Sequence, residues 1–555
     1  MILQESTFWH CSELQIYKMT EGPNAFFSQL GDVATNLQDI YNENLSTADE
    51  NLTEELYTSL QNAYTAFIEK AKEAGYLADA SSLIVNEIQV CNTDQFVDPS
   101  FNYGGWVELY NPTNSIIKLS GLYVSGESTN PTQFLIPSTT ETIAPKSFHT
   151  LWFDHNAADG YYGGKAVNQV NFKLEAEGDT LFLFDHNGTL LLSQTYPAGI
   201  PRCSWARTTD FGNEWMMCST PTPGKSNSGS SFSQQRLAAP VVDTDGTLFV
   251  QPFSVHVTIP QGTVLKYTTD GTTPTLSNGM TSADGTFSIQ KTTVLRFCLF
   301  ADGYLPSPVV TRSYIYRNHD YYLPVISVVT NPDNLYDDTI GVYTKGTNGR
   351  VGNGQSSACN WNMDWERPVN VEYMEPVSTD GSIDYLTRIN QEADFEISGG
   401  WTRAYGGGTV DGKYWPMKSS FRIKTDKRYE GKNSLDYPVF PNKPYNKYKV
   451  WEVSNGGNDT HARIIDPSLG QMVIQSGFNV DAQDCQSAHV FFNGEYLGML
   501  NIRESNNRHY GYSNFGIDTD DMDQFDRSDA KYNQKVGDNE AWNQLVALSQ
   551  QLASD

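Results

Sequence analysis

The chain has 555 residues, 39% of them hydrophobic and only 18% charged, a balance that excludes a disordered polymer. At roughly 100–200 residues per domain, that length predicts about three to five domains, each able to bury its own core. The formal net charge of −28 repels nucleic acid and anionic membrane surfaces, tolerates neutral glycans, and has solubility as its simplest use.

No run of about 20 apolar residues is present, so no segment is expected to span a membrane. The opening MILQESTFWHCSEL lacks a basic region followed by an apolar run and does not read as a signal peptide. Its aromatic, strand-like character (Phe8, Trp9, Leu14, Ile16, Tyr17) reads as the remnant of an upstream domain. The seven cysteines are scattered and contain no CxxC, which argues against a metal cluster or a dense disulfide framework. Cys203 and Cys218 alone are spaced to face each other across a hairpin, as a disulfide or, more simply, as two buried thiols.

Residues 24–80 carry a helical period, first in Phe27, Leu30, Val33, Leu37 and Tyr41, then in Leu52, Leu56, Leu60, Tyr64, Phe67 and Ile68. Lys70, Lys72 and Gly75 form a stop signal. The spacing predicts a helical hairpin, and residues 1–82 are expected to be a spacer.

From residue 83 the period becomes that of strands, with turn signals such as Asp185-His186-Asn187-Gly188, and predicts an antiparallel sandwich of at least seven strands. The runs Val85-Asn86-Glu87-Ile88, Trp106-Val107-Glu108-Leu109-Tyr110-Asn111, Leu119-Ser120-Gly121 and Thr222-Pro223-Gly224 together resemble the lamin-tail domain family over residues 83–228. The resemblance implies an immunoglobulin-like sandwich used as a spacer or interaction module. Glu87 and Glu108 are candidates for a cation site, against the simpler reading of a structural role at strand ends.

After the Ser/Gly-rich linker at 226–235, residues 237–316 form a second small β unit. Asp270-Gly271 supplies a turn and Pro274 interrupts the next strand. The run Tyr267-Thr268-Thr269-Asp270-Gly271-Thr272-Thr273-Pro274-Thr275 resembles the small β-sandwich at the C-terminus of chitobiases and beta-hexosaminidases. This implies an accessory module, and no carboxylate pair in it stands out as the acid and nucleophile of a glycosidase.

Residues 320–555 change texture again. LPVISVV is followed by Ile397-Ser398-Gly399-Gly400-Trp401-Thr402-Arg403, by Lys418-Ser419-Ser420-Phe421-Arg422-Ile423-Lys424, and by Asn493-Gly494-Glu495-Tyr496-Leu497-Gly498 running through to Glu504. In that order they resemble the CotH family of atypical kinases. The resemblance implies the N-terminal portion of a kinase-like α+β domain, with ATP and magnesium as cofactors of the intact parent. It makes Lys418, Arg403, Arg422 and Glu504 the cofactor-binding candidates, with Glu504 pairing Lys418. Strand alternation places Lys418, Ser420, Arg422 and Lys424 on one face, as a phosphate-meeting surface or as a basic face balanced by surface acids. The catalytic carboxylates of such kinases have no match. Asp518, Asp520, Asp521, Asp523 and Asp526 fail the calcium-loop pattern, because Met522 occupies a ligand position and the required glycine is missing, so no metal site is expected.

The sequence therefore predicts a multi-domain, mainly β chain with an α+β part: helical hairpin, two immunoglobulin-like sandwiches, partial kinase-like domain. The expected setting is a secreted or cell-surface protein, cut from a longer parent, with a protein substrate or a cell-surface glycan as partner. An inactive kinase portion and a non-catalytic scaffold are the two functional expectations.

Overall fold

The computed structural model describes residues 36, 39–40, 54–74 and 77–554, apart from 120, 137–141, 155–168, 353–356, 380, 401–402, 404–407, 411–412, 416–418, 431–432, 458, 460–461, 520 and 529–530. The chain divides into two compact units, the first of residues 1–237 with Ala301–Pro306, the second of Ala238–Phe300 with Ser307–Asp555.

In the first unit, helix α1 (Glu54–Glu73) buries Ala63, Phe67 and Ala71, four residues apart on one face, and ends on Lys70 and Lys72, whose charge suits a helix C-terminus. The other arm of the expected hairpin lies almost wholly outside the described residues. Strands follow: β1 (Ile84–Gln89), β2 (Gly105–Tyr110), β3 (Phe148–Phe153), β4 (Ser204–Arg207) and β5 (Trp215–Cys218). They form the centre of a seven-stranded sheet running from Phe232–Ser233 through β5, β4, β1, β2 and β3 to Gln169–Val170. A four-stranded sheet and a three-stranded one complete the layers around a core that includes Val85, Ile88, Val107, Leu109, Leu151 and Leu183. The sandwich is not wholly antiparallel, since β3 pairs Gln169–Val170 in parallel and Leu77–Ala78 pairs Ile116–Lys118 in parallel. Cys203 and Cys218 are buried and are not joined to each other by a disulfide. Cys218 lies opposite Ser204, one residue out of register with Cys203, so the pleat sends the two sulfurs to different faces.

The second unit opens with the small sandwich. Its five-stranded sheet contains β6 (Val264–Thr268), β7 (Thr293–Phe300) and β8 (Val310–Tyr316), with Phe253–His256 and Thr286–Ile289 forming a facing pair. Asp270-Gly271 does not close a two-residue hairpin. Gly271 takes φ of +88° inside a longer loop, because β6 pairs with Met280–Ser282 rather than with the segment directly after the turn.

Then comes a closed barrel of seven strands: β9 (Val325–Val329), β10 (Arg367–Thr379), β11 (Ser382–Ser398), β12 (Ser420–Lys424), β13 (Val450–Ser454), β14 (Cys485–Phe492) and β15 (Glu495–Glu504). Neighbours pair in the order β9-β10-β11-β12-β13-β15-β14, and β14 returns to β9 in parallel, which closes the wall. Three helices follow the later strands, α2 (Ile465–Ser476), α3 (Arg508–Phe515) and α4 (Glu540–Ser554). Where the resemblance implies an α+β kinase-like portion, the structure has this barrel with its few helices.

Aligned residues point inward: Phe395, Ile423 and Trp451 in one layer, Ile397, Phe421, Val453 and Ile502 in the next, all fully buried. Phe395, Phe421 and Phe492 pack with ring centres 4.9–5.6 Å apart, adding aromatic contacts to the burial. The β14–β15 hairpin turns on Asn493 (φ +47°) and Gly494 (φ +83°), the left-handed pair that a two-residue primed turn demands.

Sandwich and barrel share a core: Leu248 and Ile315 pack with Val325, Met374, Tyr385 and Phe491. The Arg296 guanidinium, almost fully buried, donates to the Gly271 carbonyl and Thr273 Oγ1, both at 3.0 Å, and reaches Glu392 on β11 at 3.4 Å.

Candidate functional site

Lys418, and with it the expected Lys418–Glu504 pair, lies outside the described residues. The other three candidates have defined surroundings. Arg403 follows β11 in a tight turn, its amide donating to the Gly400 carbonyl at 3.1 Å. Its guanidinium folds back: Nε donates to the Gly399 carbonyl at 2.7 Å and Nη2 to Asp364 Oδ1 at 2.5 Å, while Nη1 reaches the Trp361 and Met363 carbonyls at 3.4 Å. Arg403 thus ties the glycine turn to the segment entering β10.

On β12, Ser420, Arg422 and Lys424 share the outer face, as alternation predicts, while Phe421 and Ile423 fill the barrel. The outer face is balanced. Arg422 lies opposite Glu396 on β11 and Glu452 on β13, at 3.4 and 3.8 Å, and Glu452 in turn lies opposite Arg503 on β15. Glu396, Arg422, Glu452 and Arg503 therefore form a stripe of alternating sign across four strands, the arrangement that cross-strand pairing favours. Lys424 bonds Glu366 at 2.5 Å and Glu396 at 2.9 Å. Burial works to lower its pKa, but the two carboxylates outweigh it and hold the ammonium charged far beyond neutral pH.

Glu504 ends β15 on the other face of the wall. It lies opposite Trp451, which lies opposite Ile423, so it shares the inner side with them and not the side of Arg422. Its carboxylate is buried and fully used. Oε2 accepts from the Asp484 amide at 2.8 Å and pairs with Lys443 at 3.0 Å; Oε1 accepts from the Tyr445 hydroxyl and from Asn514 Nδ2 at 3.2 Å. Lys443 also donates to Asn514 Oδ1 at 2.7 Å and to the Ala482 carbonyl at 3.4 Å, which accounts for all three of its hydrogens. The hub joins the end of β15 to α3 and to two loops. Lys443 escaped the sequence reading because PNKPYNKY has neither a strand nor a helix period, and its partner is far along the chain.

In the first unit Glu87 and Glu108 are buried side by side on β1 and β2, opposite each other in register. Glu87 accepts from the Ser204 hydroxyl and from Thr222 Oγ1 at 3.0 Å; Glu108 accepts from Asn86 Nδ2 at 3.0 Å and from the amides of Gly224 and Lys225 at 2.7 and 3.1 Å. The two carboxylates hold the loop that begins at Thr222. Burial pushes the Glu87 carboxyl up to about 7 and that of Glu108 up to about 8. Among the described residues no cluster of three His, Cys, Asp or Glu side chains is placed to hold a metal ion, and no helix is long and apolar enough to cross a membrane.

Comparison with known families places two of the modules. Residues 78–198 match the lamin tail domain. Residues 245–311 match the chitobiase/beta-hexosaminidase C-terminal domain. No curated protein matches the chain. The chain carries, in series, a lamin tail domain and a chitobiase/beta-hexosaminidase C-terminal domain, followed by a seven-stranded closed barrel.

Proposed function

We propose that this chain is part of a secreted or cell-surface multi-module protein in which residues 320–555, CotH-like in their motifs, act as a rigid scaffold lobe and do not by themselves transfer phosphate. The observation that carries this reading is the opposite facing of Arg422 and Glu504 across the barrel wall, with Arg403, Arg422 and Glu504 each engaged by partners within the chain. Phosphoryl transfer needs cations converging on one phosphate together with acidic ligands for magnesium. Cations already neutralised by buried or half-buried carboxylates serve the wall instead. Incubation with radiolabelled ATP and magnesium is expected to give no autophosphorylation; labelling that disappears in Lys418→Ala overturns the reading.

A second reading, ATP-dependent phosphoryl transfer with a protein acceptor, is favoured by one observation. Lys443 and Glu504 form a buried lysine–glutamate pair, the kind of pair that kinase-like sites use to hold a nucleotide phosphate. On this reading Lys443→Ala removes ATP binding, measured by titration with ATP and magnesium, while Lys424→Ala leaves it in place.

A further inference from the structure

A cleft of about 360 Å³ lies between the small sandwich and the barrel, at the lower end of the range for small-molecule sites. One wall is the segment leading into β8, the other the β10–β11 hairpin, and Tyr429 and Glu430 border it.

The barrel wall is organised before any ligand arrives. Asn370 lies opposite Glu392, and Glu372 opposite Asn390, so all four side chains share the outer face. Asn370 Nδ2 donates to Asn390 Oδ1 at 3.0 Å, and Asn390 Nδ2 donates to Glu372 Oε1 at 3.0 Å and to the Thr311 carbonyl at 2.8 Å. A register shift at Tyr373–Met374 leaves Arg388 as the extra residue of β11, a bulge of the kind that re-aims side chains beside binding sites. At the rim Glu430 is exposed and holds φ of +55°, a conformation rare for a side chain of its type and one that clusters at functional positions.

The charges select the ligand. The arginines of the cleft already have carboxylate partners: Arg312 with Asp245 at 3.1 Å and Arg388 with Glu375 at 3.0 Å. Glu392 has Arg296. The lining carboxylates Asp245, Glu392 and Glu430 outnumber the lining arginines, which disfavours phosphate, sulfate or carboxylate ligands. Asp245 and Glu392 have their own cations, which disfavours a cationic one. Pro308, Val309 and Val310 supply an apolar strip against the polar wall. Amides, carboxylates and guanidinium groups on one side and an apolar strip on the other match a molecule with hydroxyls at its edge and C–H bonds on its face.

We propose that this cleft binds a neutral sugar, as a monosaccharide or the end of a neutral glycan. The proposal goes beyond the scaffold reading and stands whether or not the chain handles ATP, since the two are read in separate assays. The test is an array of neutral oligosaccharides carrying sialylated and sulfated glycans alongside, probed with the 555-residue chain. Binding is expected on neutral glycans only, and at least tenfold weaker for Glu430→Ala and for Arg388→Ala, with melting temperatures unchanged because both side chains are on the surface. The proposal is overturned if no neutral glycan binds, if binding is confined to the anionic glycans, or if neither substitution weakens it.

Discussion

Gly271 of the small sandwich and Asn493 of the barrel meet so closely that the space between them leaves no room for a side chain at position 271. A Cβ added to Gly271 would lie 2.7 Å from Asn493 Oδ1 and nearer still to the Thr330 carbonyl. Asn493 Oδ1 in turn accepts from the Thr330 amide at 2.9 Å. The Asp270-Gly271 turn and the Asn493-Gly494 turn are thus two halves of one contact within the second unit.

Gly271→Ala is therefore expected to lower the stability of the second unit by about 2–4 kcal/mol, the sum of left-handed strain and forced overpacking. Urea unfolding followed by tryptophan fluorescence measures it. A loss below about 0.5 kcal/mol, the ordinary range for surface substitutions, would mean that the two turns are not in contact in solution.

The first unit is expected to lose stability as pH rises. Glu87 and Glu108 have folded values near 7 and 8, above an ordinary carboxyl value of 4.5. A carboxyl whose value is raised by folding holds its proton more tightly when folded, so its contribution is full below about 4.5 and is lost as pH climbs through 7 to 8. The melting temperature of the first unit should fall between pH 5 and 8 and level off above. Glu108→Gln, which keeps the side chain's size without its titration, should flatten that slope; an equally steep slope in the variant would show that other groups carry it.

How much of this was legible in the residues varied with how local the cause is. Asn493-Gly494 has a local cause, since a two-residue turn with positive φ at both positions suits these residues. The alternation of Phe421 and Ile423 with Arg422 and Lys424 announced a half-buried strand. Barrel closure was not legible, because the parallel pairing of β9 with β14 joins segments far apart in the chain and leaves no local mark. The same distance hid Asp364 as the partner of Arg403 and Lys443 as the partner of Glu504. Asn370 and Glu372 are polar yet buried, because the small sandwich covers that face of the barrel, a contact that nothing local in the strand marks.

The Lys443–Glu504 hub predicts an asymmetry between single and double substitution. Lys443→Met leaves the buried Glu504 carboxylate without its cation and should cost about 3–5 kcal/mol. Adding Glu504→Gln removes the unpaired charge and should recover part of that loss. Denaturant midpoints of the two variants decide the point: equal midpoints would mean that no charge pairing links the two residues.

The claim most open to direct test is that the cations of residues 320–555 hold the barrel wall rather than a nucleotide. Calorimetric titration of the chain with ATP and magnesium chloride measures it. The account predicts no saturable heat up to millimolar ATP, in the wild type and in Arg403→Ala alike. Saturable binding that is lost in Arg403→Ala, in a protein still folded by circular dichroism, would contradict it.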